Sequence, residues 1–263
     1  LKKHKEVVPY FGGFVFFVTM LFFLLPLYEI SYFLIIFLMM AISLIGLMDD
    51  IYTIPYKPRL FAQILFTIST TYILIDYSLE NLSIFNTVII IVFFTILGVA
   101  IINAVNFIDI GDGLCASVFI SFLFNLILFN DYDSTQIVQS AELAIYPAIA
   151  FLLLNFPKAK LFLGDFGSYL IGALIFYYTS IQIFNSGLEL PNLFFIPLLL
   201  LPIPILDLAK VIFIRLIRKE SPFLGSPDHL KHNLIKLGMG DRSILASYVM
   251  LNTLPSLIYY YIL

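Results

Sequence analysis

Carboxylates and carboxamides gather at three places in this chain, each beside an apolar run. Asp49 and Asp50 close GLMDD; Asn103, Asn106, Asp109 and Asp112 recur at every third position of NAVNFIDIGDGL; Asp165 is flanked by Gly164 and Gly167 in FPKAKLFLGDFGS. A fourth polar stretch, SPDHLKHNLIKLG, carries His229, Lys231 and His232. Ionisable groups at an apolar boundary are costly and usually serve an ion, a substrate or each other. Two acids ending a helix also oppose its dipole, which favours cations there; a solvated boundary pair is the plainer reading of Asp49 and Asp50. In the second cluster, successive members neighbour one another on a helix but drift around its axis. Gly111 and Gly113 would permit the break that lets them converge. A polar capping loop there, and a tight glycine turn around Asp165, are the ordinary alternatives. The chemistry open to several acids with Lys and His nearby is the holding of a hard cation. Mg²⁺ takes one or two carboxylates, with water and phosphate oxygens completing its shell. Zn²⁺ would need His and Cys spacing that this chain lacks.

The elements that must position these groups are membrane helices. The chain has 263 residues, 61% hydrophobic and 12% charged, with a mean hydropathy of +1.03, which is too much apolar surface for a soluble domain of that length. A helix crossing the hydrocarbon core needs about 20 apolar residues. The pattern predicts an all-α, polytopic transmembrane bundle of about nine spans, near 10–28, 30–48, 59–75, 84–102, 113–130, 141–156, 166–184, 190–212 and 243–262. The runs are too long and continuous for a β-barrel. All 14 Lys and Arg fall in the N-terminal tail or in alternate connectors, whereas the connectors around Pro26, Asp76, Asp131 and Glu189 have none. Basic residues are retained on the cytoplasmic side, so the N-terminus and the polar clusters are expected there, and an odd span count puts the C-terminus outside. Residues 1–263 read as one domain, whose largest cytoplasmic loop, 215–242, is the natural place for a ligand-closing element. Cys115 is the single cysteine, so no intrachain disulfide forms. No signal peptide, internal repeat or nucleic-acid motif is expected. The acids of the outer connectors read as solvated loop charges.

Taken in order, GLMDD, NAVNFIDIGDGL, KLFLGDFGS and SPDHLKHNLIKLG resemble the motifs of the polyprenyl-phosphate N-acetylhexosamine-1-phosphate transferases (glycosyltransferase family 4), and KHKEVVPYFGG resembles that family's first cytoplasmic segment. The likeness covers nearly the whole chain. It is nearer the undecaprenyl-phosphate GlcNAc-1-phosphate transferase-like subgroup, which starts O-antigen, teichoic acid or capsule synthesis, than the peptidoglycan-precursor translocase with its run of three His. The family's span ahead of the KKH segment has no counterpart here. The resemblance implies a bacterial inner (plasma) membrane enzyme with a cytoplasmic site. Such an enzyme passes a sugar 1-phosphate from a UDP-N-acetylhexosamine to a polyprenyl phosphate and releases UMP. It further implies Asp165 as a ligand of Mg²⁺, or of Mn²⁺ in its place, with Asn106 as a second. Asp49 and Asp50 would orient or deprotonate the lipid phosphate. Asp109, Asp112 and Phe162 would line the nucleotide pocket, with the Phe162 ring on uracil, and Asn103 would also bind substrate. His229 and His232 would contact the diphosphate, and Lys3 could reach phosphate too. Lys231 stands where the family commonly has a middle His and keeps a cation there. The family's Asp-Gly-x-Asp-Gly reads Asp109-Ile110-Gly111-Asp112-Gly113 here. A homodimer is compatible with all of this.

Other classes predict different patterns. A secondary transporter would place charges near mid-span, often in paired repeats, whereas these acids stand at span ends on one side. A CDP-alcohol phosphotransferase would carry DG-x-x-AR, which does not occur here. A degenerate, inactive member of the resembled family is the remaining alternative.

Overall fold

The computed structural model describes residues 8–24, 33–78, 82–130, 135–220 and 228–262. Lys3 and positions 221–227 of the expected cytoplasmic loop lie outside the described residues. Among those described the chain is helical throughout, without a strand. In order the helices are α1 (Gly12–Leu24), α2 (Phe33–Tyr52), α3 (Tyr56–Ser78), α4 (Ile84–Ile108), α5 (Leu114–Phe129), α6 (Gln136–Asn155), α7 (Gly164–Ser186), α8 (Leu190–Leu200), α9 (Pro202–Arg218), α10 (Leu230–Lys236) and α11 (Asp241–Ile262). Five of them, α2, α3, α4, α6 and α7, are long and apolar enough to cross a membrane, and α8 with α9 would make a sixth. The stretches expected at 10–28 and 113–130 form shorter apolar helices. Large side chains such as Phe37, Phe61, Ile84, Phe85 and Ile96 stand exposed around the bundle, more than a water-facing surface tolerates.

Helix α7 is the axis of the bundle. Its apolar length is almost wholly buried, with α2 and α4 as its most extensive neighbours and α1, α3, α5 and α8 also touching it. Lipid gives no hydrophobic drive for helices to associate, so close packing must supply it. At Gly46 of α2 an added Cβ would lie 2.3 Å from the backbone oxygen of Asp165, so only glycine permits this approach of α2 to the start of α7.

The 190–212 stretch does not form one straight span. It breaks between α8 and α9 with a 100° bend, because Pro202 and Pro204 carry no N–H and so cannot continue the ladder. In a bilayer the freed backbone groups must be satisfied from elsewhere. Pro204 cannot donate to Leu200 O, and Asn125 Nδ2 of α5 does so instead at 3.0 Å. Ser256 Oγ of α11 donates to Leu199 O at 2.9 Å, and Ile203 N donates to Asn252 Oδ1 at 3.4 Å. Asn252 is itself held, its Nδ2 donating to Ser121 Oγ at 2.9 Å and its backbone oxygen accepting from Asn125 Nδ2 at 2.8 Å. The bend is therefore built into the fold.

Replacing Asn252 by Leu strands Ile203 N and removes the donor to Ser121 Oγ, which keeps its bond to Val118 O, at a cost of about 1–3 kcal/mol. Thermal unfolding of detergent-solubilised protein, followed by maleimide labelling of the buried Cys115, should show the transition lowered, whereas exposed Met250→Leu should leave it in place.

Candidate active site

The sequence clusters meet at one end of the bundle. Asp50, at the C-terminal end of α2, turns its carboxylate onto the start of α7: Oδ1 accepts from Asp165 N at 3.0 Å and Oδ2 from Phe166 N at 3.3 Å. The first amides of a helix lack intrahelical acceptors, and Leu163 in the N-cap position provides no side-chain bond. Asp50 fills that role from another helix, which explains why an acid sits against the dipole of α2. Asp49 is likewise engaged. Its Oδ2 accepts from Arg59 Nη1 of α3, and its Oδ1 accepts from Ile54 N at 2.6 Å. Asp165 Oδ1 accepts from Asn106 Nδ2 at 3.0 Å, which also donates to Ser168 Oγ at 2.9 Å. The carboxyls of Asp49 and Asp165 lie within hydrogen-bonding reach of each other, with Asp50 close by. Among the described residues no three His, Cys, Asp or Glu side chains form a ready-made metal cage.

A second set of residues is tied to the turn between α4 and α5. Asp112 Oδ2 accepts from Ala159 N at 3.0 Å. Asn155 Oδ1 accepts from Gly113 N at 2.6 Å, and its Nδ2 donates to Leu161 O at 2.7 Å. This turn and the loop before α7 are thus pinned together. The segment leading into α1 joins them, with Phe162 N donating to Pro9 O at 2.9 Å and Gly12 N to Phe162 O at 3.0 Å. Lys231 Nζ reaches across from α10 to Ile110 O at 2.9 Å. His229 is buried at 4% exposure, its ring 5.2 Å from Phe107 and 6.3 Å from His232. Phe162, expected to stack on uracil, is also buried, and its ring lies 5.0 Å from that of Tyr10. Asn103 faces α3 rather than the turn, donating to Gln63 Oε1 at 2.7 Å and to Val99 O at 2.8 Å.

Between α3, α4, α7 and α9 runs a cavity of about 400 Å³. Because α3 begins where α4 ends, its two ends differ. Arg59, Asn103 and Asn106 line one, and Ile64, Thr95 and Ile96 line the other. The polar end touches the acids directly, through the Arg59–Asp49 pair and the Asn106–Asp165 bond. Sequence reasoning missed three residues here. Arg59 served only as a marker of sidedness, and Tyr169, whose hydroxyl lies within reach of Arg59, is one aromatic among many. Asp207 of α9 could have been found as a charge inside an apolar run.

A family model for glycosyl transferase family 4 matches residues 32–183. The chain belongs to glycosyl transferase family 4. It is 32% identical over 234 residues to the undecaprenyl-phosphate alpha-N-acetylglucosaminyl 1-phosphate transferase of Thermotoga maritima, covering 88% of this chain and 69% of that protein. It is 31% identical to the phospho-N-acetylmuramoyl-pentapeptide-transferase of Fervidobacterium nodosum, covering 76% and 66%. It is 30% identical to the decaprenyl-phosphate N-acetylglucosaminephosphotransferase of Mycobacterium leprae, covering 56% and 42%. This chain thus spans less than two thirds of the latter two. Glycosyl transferase family 4 is a family of phosphotransferases, and the long apolar helices of this chain fit a multi-pass membrane protein. Two of these relatives are named for a polyprenyl phosphate, undecaprenyl or decaprenyl. The matched segment includes α2, α4 and the start of α7, the three elements that bring Asp49, Asp50, Asn106 and Asp165 together.

His232 titrates below its ordinary range, first because partial burial disfavours its charged form and then because His229, Lys231 and Lys236 repel a proton. Its Nδ1 is buried without a hydrogen-bond partner among the described residues. A base whose pKa is lower in the folded state holds the fold above its unfolded value of about 6.5. That contribution fades as pH falls towards the folded value, since the unfolded chain takes the proton first. NMR titration of His232 should therefore give a midpoint below about 6.5, and His232→Gln should reduce the loss of thermal stability on acidification. A second expectation concerns the meeting of α2 and α7: Gly46→Ala should push Asp50 off the α7 amides and lower thermal stability by at least as much as the Asn252 change.

Proposed function

We propose that this chain transfers N-acetylhexosamine 1-phosphate from a UDP-sugar to a membrane polyprenyl phosphate, releasing UMP, at the cytoplasmic face of the bacterial plasma membrane. The observation that carries the reading is the cavity with one apolar and one polar end. Its apolar length suits a polyprenyl chain entering from the bilayer, and its polar end would leave the lipid phosphate beside Arg59, Asn106 and the acids. The names of the relatives support the same chemistry. The product would begin a cell-envelope glycan.

In this reading an oxygen of the lipid phosphate attacks the phosphorus that bears the sugar. The bond from that phosphorus to the oxygen shared with the second phosphate breaks, and UMP leaves with the electron pair. A phosphomonoester has its second pKa near 6, so the acceptor needs little help in losing its proton. Asp49 and Asp50 then serve mainly to position, Asp49 by holding Arg59 at the cavity mouth and Asp50 by fixing the start of α7. His229, His232 and Lys231 supply donors and charge for the diphosphate. Asp109 and Asp112, on the turn, face the nucleotide side of the donor.

The donor set fits a hard cation. Asp165 shares its corner with Asp49 and Asp50, and acids so close call for a cation or a shared proton between them. Asp165 would hold Mg²⁺, or Mn²⁺ in its place, with Asn106 as a second ligand. One or two carboxylates suffice because phosphate oxygens and water complete the shell. Bound there, the ion offsets repulsion between the two reactants and stabilises charge on the transferring group.

Purified protein given undecaprenyl phosphate and a panel of UDP-sugars should release UMP from at least one UDP-N-acetylhexosamine. The release should stop with EDTA and return with Mg²⁺ or Mn²⁺. Asp165→Asn should lower kcat by roughly 10²–10³-fold, the scale of losing one preorganised electrostatic contact to the transition state. Folded protein that yields no UMP from any donor would overturn the reading.

A further inference from the structure

One acid in the structure has a partner but no role in the chemistry above. Asp207 is one turn beyond the α8–α9 bend and only 4% exposed. A carboxylate in an apolar helix requires donors around it, and the fold gives it two. Oδ1 accepts from Leu230 N at 2.6 Å, and Oδ2 lies 3.0 Å from Nδ1 of the equally buried His229. A carboxylate only accepts, so the ring nitrogen facing it carries the proton. The His229 ring is thereby held in one orientation, edge-on to Phe107, whose chain neighbour is Asn106.

We propose that Asp207 is a positioning residue for transfer. It fixes the tautomer and plane of the His229 imidazole and anchors the start of α10, so that Nε2 is the ring atom turned to the donor's phosphates and donates to them once the ring takes its second proton, the charge being balanced by Asp207. This rests on the reading of His229 as a phosphate contact. It joins the bend between α8 and α9, which places Asp207, to the start of α10. The arrangement follows a general rule for imidazoles in sites: the hydrogen bond at one ring nitrogen sets what the other can do.

A double-mutant cycle separates this from a merely structural role. Asp207→Ala should lower kcat about 10- to 100-fold, the size found when the partner that orients a working histidine is removed, with KM for the UDP-sugar little changed. In the Asp207→Ala, His229→Ala pair the losses should not multiply, because groups that act as a unit are lost once. The double variant should be no slower than His229→Ala alone. Asp207→Glu, which keeps the charge, should recover part of the rate. If Asp207→Ala fails to fold, Asp207→Asn keeps the volume and one acceptor and enters the same cycle. A second readout needs no turnover. The chain has 3 His, so ¹⁵N-histidine spectra can resolve His229, which should carry its proton on Nδ1 in the wild type and lose that preference in Asp207→Asn. Multiplying losses, an unchanged kcat, or a wild-type proton on Nε2 instead would each overturn the proposal. If wild-type protein releases no UMP while the spectra show the Nδ1 proton, the transferase reading fails and the Asp207–His229 pairing stands.

Discussion

The carboxylate of Asp50 on the first amides of α7 is the bond around which the site is assembled. A buried amide without an acceptor costs several kcal/mol in an apolar surrounding, and the start of a helix leaves several such groups at once. An anion also suits the positive end of the dipole. A cap from the residue just before α7 would have satisfied the amides and fixed nothing else. Coming from α2, the cap draws the end of one span onto the start of another, and Gly46 removes the Cβ that would hold them apart. The meeting of Asp49 and Asp165 follows from that closure. Neither acid recruits the other.

A second constraint acts from the far side of the site. In a membrane interior a broken helix survives only if other groups take over its backbone bonds, and Asn125, Asn252 and Ser256 do this at the α8–α9 bend, with Ser121 holding Asn252 in place. Each bond contributes only about 1 kcal/mol, so the network does little for association compared with packing. What it fixes is direction. Because the freed oxygens of Leu199 and Leu200 have set partners on α5 and α11, α9 leaves the bend along one course, and Asp207 on its first turns arrives beside α10. Polar groups deep in the bundle thus reach the chemistry through geometry.

The gathering of the clusters at one end was legible because each is polar in an otherwise apolar chain, and because the basic residues mark alternate connectors. Helical class was legible from the length of the apolar runs. The course of α8 and α9 was not. Hydropathy over 190–212 is continuous, and Pro202 and Pro204 are compatible with a merely kinked span; what decides for a sharp bend is the supply of side-chain partners on α5 and α11, which are distant in sequence. The acids were recognised as functional candidates, yet the role of Asp50 as a cap and of Arg59 as its neighbour's partner depends on contacts between helices that no local pattern encodes. Phe162 was named from its motif position alone, and its burial against Tyr10 depends on the approach of the segment before α1, which no local pattern encodes.

Two of the places where the sequence departs from the resembled pattern, the turn and the histidine loop, meet at one contact. With Ile110 and Gly111 in this order, glycine occupies the position that Lys231 crosses, and a Cβ there would lie 2.3 Å from Lys231 Nζ. The same ammonium donates to Ile110 O. A histidine at 231 is too short and too rigid to make that crossing by the same route, and a side chain at 111 would obstruct it. The glycine in the turn and the lysine in the loop are therefore in direct contact. An ammonium has three donors and a charge that hydrogen bonding to a carbonyl does not cancel. Lys231 can therefore pin the turn that carries Asp109 and Asp112 and still present positive charge to a diphosphate. A neutral imidazole bonded in the same way would keep no charge to offer. The departure thus preserves the cationic character of the loop and adds a strut between α10 and the end of α4.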